Sequence, residues 1–352
     1  MRLVWQQRVT GFCIFLLLFI NLGILPQAHA GIISEKDEIS MGRDAAKQLE
    51  KEYGLVNDAA LQERVSNIGR RLVAVCDRPN LPYTFKVLNS KEVNALSLPG
   101  GFIYVFKGLV DLMPSDDELA GVLGHELGHA VKRHVVKQIE KSLGMNLLFI
   151  AAFGDRGVFL QSLVMQAITA GYSREDEREA DRLGFLQSFK AGYNPYSMMI
   201  GLQKLSEMDQ KYHYDLFSDH PEGKARIALV AGYMKEANIH PMVVQTDQGA
   251  QIVDGNWSLP PLTTDYGGYK ALYRAELIAG RLYRLTQLPD LNPDELILDS
   301  DGVGTLTIYY DDQAIGTLTD QDAAAAGTGL MELGDTYIQK LKEWAARQKT
   351  AQ

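Results

Sequence analysis

Two cysteines in 352 residues, Cys13 and Cys76, are too few for a disulfide framework. Cys76 closes the apolar run Leu72 to Val75 and reads as a small buried hydrophobe. An excess of basic residues is also missing. The formal net charge is -9, and this excludes the basic footprint that nucleic-acid binding leaves. Long apolar runs are absent too: Phe12 to Leu25 falls short of the roughly 20 residues needed to cross a bilayer. That run follows Arg2 and Arg8, and it is followed by Pro26 and Ala28-His29-Ala30, a small-x-small cleavage pattern before Gly31. Residues 1–30 therefore read as a secretory signal peptide, with an uncleaved anchor as the alternative. Its removal takes Arg2 and Arg8 from the chain and moves the net charge from -9 to -11. The mature protein is then extracytoplasmic or periplasmic, with membrane association left open.

What is present is a globular composition, 46% hydrophobic, long enough for one large or two modest domains. The capping residues Ser34 and Asp37 and the stop at Gly54 predict a helix over 34–53, and a second helix covers 58–75. Short β-type runs at 83–87 and 102–105 predict a small sheet. Ser115-Asp116-Asp117-Glu118 is a capping box that opens a helix to about Ile139. Two apolar stretches between Leu143 and Ala170 are each too short to span a membrane; they read as core or lid helices, or as membrane-dipping segments. Helices follow over 173–190, about 196–209 and 226–237. Residues 241–264 lose periodicity and end in Pro260-Pro261, so they are expected to be a linker. An accessory domain is expected over 265–352, with a helix, a hairpin at Asp311-Asp312-Gln313 and a last helix over 329–347.

The chemistry concentrates in Gly124-His125-Glu126-Leu127-Gly128-His129. On a helix of 3.6 residues per turn, His125 and His129 project from one face and can hold one zinc ion through their imidazoles, with Glu126 in reach of an attacking water. A catalytic zinc needs a third protein ligand. Several acids crowd 175–181, and Glu177 shares a face with Ala180, Asp181 and Gly184. The two small residues let another helix pack close, so Glu177 can reach the metal while Asp181 orients a histidine N–H.

These segments resemble the gluzincin-type peptidases that include the CAAX prenyl protease type 1, the HtpX-type heat-shock protease and soluble periplasmic quality-control proteases. The resemblance rests on the HExxH string and on Ser173-Arg174-Glu175-Asp176-Glu177-Arg178-Glu179-Ala180-Asp181. It also rests on Asn94 to Val105 and on Asp219-His220-Pro221 with Arg226. It covers residues 34 to about 235 and selects Glu177 as the third ligand. It implies that Gly101, Phe102, Ile103 and Tyr104 lie on a sheet edge that binds substrate as an added strand, with Asn94 anchoring the preceding turn. From the residues alone, an ordinary half-buried strand fits as well. His220 then resembles a donor to the oxyanion or a reversible fourth ligand, against the plainer reading of a turn residue. Arg226 holds that loop, aids the oxyanion or makes a simple ion pair. His134, His213 and His240 read as structural or exposed.

The expected fold is α+β: a mostly α zincin peptidase domain with a small sheet over 31–240, then a small C-terminal α/β accessory domain. The expected activity is zinc-dependent endoproteolysis of misfolded or unassembled envelope proteins, with one zinc per chain, polypeptide substrates and no nucleic acid. Association with a membrane surface or envelope complex is left open, as is oligomeric state. A latent zinc-stabilised chaperone and a membrane-associated protease are the alternatives.

Overall fold

The computed structural model describes residues 33–150, 163–168, 170–212 and 223–351. The expected signal peptide, with Cys13, and the residues His213 and His220 lie outside the described residues. No described helix is long and apolar enough to cross a membrane.

Two helices, α1 (Glu35–Tyr53) and α2 (Ala59–Val73), open the described chain. Ser34 and Asp58 cap them by accepting backbone N–H groups from Asp37 and Leu61. Strands β1 (Thr84–Leu88), β2 (Ala95–Leu98) and β3 (Phe102–Phe106) form a sheet in the order β1-β3-β2. β3 is parallel to β1 and antiparallel to β2. All five residues of β3 are buried. This corrects the expectation that Gly101, Phe102, Ile103 and Tyr104 lie on an edge. Both sides of β3 are hydrogen-bonded, and the edges fall to β1 and β2. The short strand β2 carried too little alternation to be seen beside the Pro-Gly-Gly turn.

After α3 (Lys107–Leu112) comes α4 (Asp116–Lys132), whose N-terminus carries the Ser115–Glu118 capping box. The helix does not run on to Ile139. Arg133 adopts a left-handed conformation (φ 59°), and α5 (His134–Ile150) starts in a new direction. Further along come α6 (Arg174–Lys190), α7 (Ser197–Tyr212) and α8 (Gly223–Glu236).

Residues 241–264 are not a linker. They form β4 (Met242–Thr246), β5 (Gly249–Asp254) and β6 (Trp257–Ser258), an antiparallel meander. Its inward residues Ala250, Ile252, Trp257, Leu259 and Leu262 are buried. The remainder consists of α9 (Ala271–Thr286), the antiparallel sheet β7 (Leu296–Ser300), β8 (Thr305–Tyr310), β9 (Gln313–Thr319), then α10 (Asp320–Ala325) and α11 (Leu330–Ala351). One hydrophobic cluster runs from Tyr196, just before α7, and Ile200 on α7 through Ile252 and Ile278 to Trp344. The accessory unit thus shares a core with the peptidase helices. Asn194 ties the two by donating to the carbonyl of Leu277 (3.0 Å), and Tyr269 does so by donating to Glu118 (2.8 Å).

Candidate metal centre

The site is built where α4 crosses α6. Ideal Cβ atoms on Gly124 and Gly128 would lie 2.9 Å from the carbonyl oxygens of Gly184 and Ala180 respectively, so only bare backbone allows this approach. A Gly128→Ala substitution gains roughly 1 kcal/mol of helix propensity. It must still push the α6 backbone away, an overpacking cost of about 1–3 kcal/mol. We expect a lower melting temperature together with weaker zinc binding, because Glu177 rides on α6; thermal unfolding and zinc titration of the variant check both.

Across that contact, His125, His129 and Glu177, all buried, bring their ligand atoms within 4.8 Å of one another. The two histidine Nε2 atoms are 3.0 Å apart. Glu177 Oε1 is 3.3 Å from His129 Nε2, and Oε2 is 3.6 Å from His125 Nε2. Ligand atoms on a tetrahedron with zinc bonds near 2.0 Å sit about 3.3 Å apart, so the three separations fit a zinc ion. The donor set agrees. His125 Nδ1 is 2.9 Å from Asp181 Oδ1, which fixes its proton on Nδ1 and turns the Nε2 lone pair to the centre.

Asp181 is fully buried, and burial alone would push its carboxyl up. The charge of Arg226 and the hydrogen bonds from His125 and Arg226 outweigh this and hold it down at about 2. Arg226 grips Asp181 with two parallel bonds, Nε to Oδ2 at 2.8 Å and Nη2 to Oδ1 at 2.7 Å. Its Nη1 pairs with Glu177 Oε2 at 2.8 Å. The guanidinium therefore fixes a metal ligand and the residue that orients another. Its contacts are with those two carboxylates and with His125 Nδ1 at 3.2 Å.

His134 was expected to be structural or exposed, and the structure instead brings it to the centre. Its Nδ1 lies 2.8 Å from His129 Nδ1, and its Nε2 lies 3.1 Å from Glu179 Oε2. Burial lowers its basicity despite Glu179 and Asp176 nearby, so the neutral ring accepts from His129 and donates to Glu179. An unbroken helix would have placed His134 off the ligand face. The left-handed Arg133 redirects it, and an HExxH string followed five residues later by histidine was the available signal. Tyr172 stacks on His129 with ring centroids 3.8 Å apart.

Glu126 is buried and, with His125, Asp181 and Arg226, lines a pocket whose other walls include Asn94, Ala95, Val122 and Leu202. Asn94 Oδ1 accepts the N–H of Ala95 at 2.8 Å. His240, with 3.9 Å to Asp254 Oδ1, belongs to the accessory unit, and buried Cys76 has its thiol pushed up by burial.

Helix-borne histidine ligands, a glutamate from a second helix and a carboxylate beside them define a zincin-type metallopeptidase domain, with zinc as its cofactor. Through residues 59–233, which match the model of Peptidase family M48, the chain belongs to that family. Residues 250–348 match a Domain of unknown function (DUF8459). The chain is 32% identical to the mitochondrial metalloendopeptidase OMA1 of Arabidopsis thaliana, over 58% of this chain and 43% of that protein. It is 27% identical to the beta-barrel assembly-enhancing protease of Escherichia coli (61% and 47%) and 31% identical to the E. coli metalloprotease LoiP (45% and 65%). The matches thus span less than half of the first two relatives.

Proposed function

We propose that this chain is a zinc-dependent endopeptidase acting outside the cytoplasm on misfolded or unassembled envelope proteins. The observation that carries the reading is the convergence of His125, His129 and Glu177 beside Glu126, on a pocket bordered by the edge strand β2. When bound, zinc acidifies water and polarises the scissile carbonyl. Glu126 takes the proton of the attacking water and delivers it to the leaving amine. Asp181, Arg226 and His134 keep the two imidazoles and Glu177 in their ligating orientation.

An extended substrate is held along β2, which has no strand on its outer side among the described residues. The carbonyl of Asn94 accepts from Phe106, so with antiparallel alternation the backbone groups of Ala95 and Ser97 face that outer side. Main-chain pairing of this kind tolerates many sequences, which suits unfolded polypeptides. The extracytoplasmic location rests on the Arg2–Ala30 leader pattern, and the substrate class on the names of the bacterial relatives. The test is digestion of an unfolded protein such as reduced, alkylated lactalbumin by the purified mature chain. Cleavage should stop on chelation and return with zinc. Cleavage that persists in chelator rejects the proposal.

A further inference from the structure

Away from the metal, α7, α8, β4 and α9 enclose a half-open cavity of about 230 Å³. Its walls are largely apolar, with Met199, Met234, Ile239, Val243 and Leu272, and its polar lining residues include Gln203 and Glu276. Glu276 is 4% exposed. Its Oε1 accepts from Gln203 Nε2 at 2.8 Å, while its Oε2 and the Oε1 of Gln203 are buried with no hydrogen-bond partner among the described residues. Burial pushes the carboxyl up to about 8, opposed only by the bond from Gln203. At neutral pH that carboxyl keeps its proton, which an incoming cation displaces; two buried polar atoms without a partner, on side chains that line one cavity, are costly unless a partner is brought to them.

We propose that this cavity receives the lysine side chain of an extended polypeptide, its ammonium bonding Glu276 Oε2 and Gln203 Oε1 and its methylenes lying on the apolar walls. An ammonium offers three donors on a slender stem, which suits two unpartnered oxygens on side chains that line a mostly apolar cavity. The surroundings fit an extended partner. Among the described residues β4 pairs only with β5, the cavity borders β4 without touching β5, and Met242 and Val244 on β4 are exposed. A peptide added along this open edge sends alternate side chains toward the cavity. The acidic net charge of the chain, -9, favours a basic partner. The site is distinct from the pocket at the metal centre, although α7 and α8 wall both, and it gives the seam between these helices and the C-terminal unit a recruiting role.

The experiment titrates Ac-Val-Lys-Val-NH2 and its norleucine analogue into zinc-loaded protein carrying Glu126→Gln, so that neither peptide can be consumed whatever the enzyme does. Binding is read by calorimetry and by the methionine methyl NMR signals of Met199 and Met234. The lysine peptide is expected to bind about ten-fold tighter than the norleucine one, a difference of ~1.4 kcal/mol. It should shift both methionine signals, and adding the isosteric Glu276→Gln should erase the preference. Equal binding of the two peptides, no binding of either, or a lysine preference that survives Glu276→Gln overturns the proposal. Loss of proteolysis elsewhere leaves these outcomes untouched.

Discussion

A Glu126→Gln protein is expected to retain one zinc per chain and to lose proteolysis by about a thousand-fold or more, in the upper part of the range for removing a general base. The substitution is nearly isosteric and Glu126 is not among the three converging ligand residues, so the metal centre should be unaffected. Glu126 lines the pocket directly beside His125, and a carboxamide there can still accept a hydrogen bond from water but cannot take its proton. Turnover of a quenched peptide and zinc by mass spectrometry, measured on one preparation, separate the two quantities. Loss of zinc along with activity would recast Glu126 as a ligand or a structural residue.

An Arg226→Met substitution should produce the largest change in stability. Glu177 and Asp181 are 1% and 0% exposed, and Arg226 is the guanidinium that pairs with both. Methionine fills the space of the arginine stem but leaves two buried carboxylates without that cation. Breaking a buried pair in this way costs about 3–5 kcal/mol. That cost applies to the metal-free protein. In the zinc-loaded protein the dication offsets the charge of Glu177, so the loss should be clearly smaller. By linkage, the difference must reappear as tighter zinc binding in the variant, since the arginine charge opposes the incoming ion. Denaturant unfolding with and without chelator gives both numbers. A metal-free variant as stable as the parent would mean the clamp contributes nothing.

The helices bearing the centre could be read from the chain because each signal was local. Capping residues at Ser34, Asp58, Ser115 and Ser173 accept the N–H groups expected of them. Gly124, Gly128, Ala180 and Gly184 report a close helix crossing in their size alone. What escaped depended on long-range pairing or a single backbone torsion. The central position of β3 is decided by β1 pairing with it in parallel, which no periodicity in Phe102–Phe106 can reveal. The meander in 241–264 hid behind Pro260-Pro261 and short strands whose outer residues are exposed. The place of His134 turned on one left-handed residue, Arg133, since a histidine beyond a helix break obeys a different geometry. Arg226 showed the same gap from the other direction: its partners Glu177 and Asp181 lie about 45 residues away in sequence.

The most direct measurement of the ligand set is zinc content and affinity of the mature wild type and of Glu177→Ala, after exchange through a mild chelator. The wild type should keep one zinc per chain, as the three-residue centre requires. With two histidines left, Glu177→Ala should keep less than about a tenth of that and bind zinc far more weakly. Near-stoichiometric zinc at wild-type affinity in Glu177→Ala would contradict the centre described here.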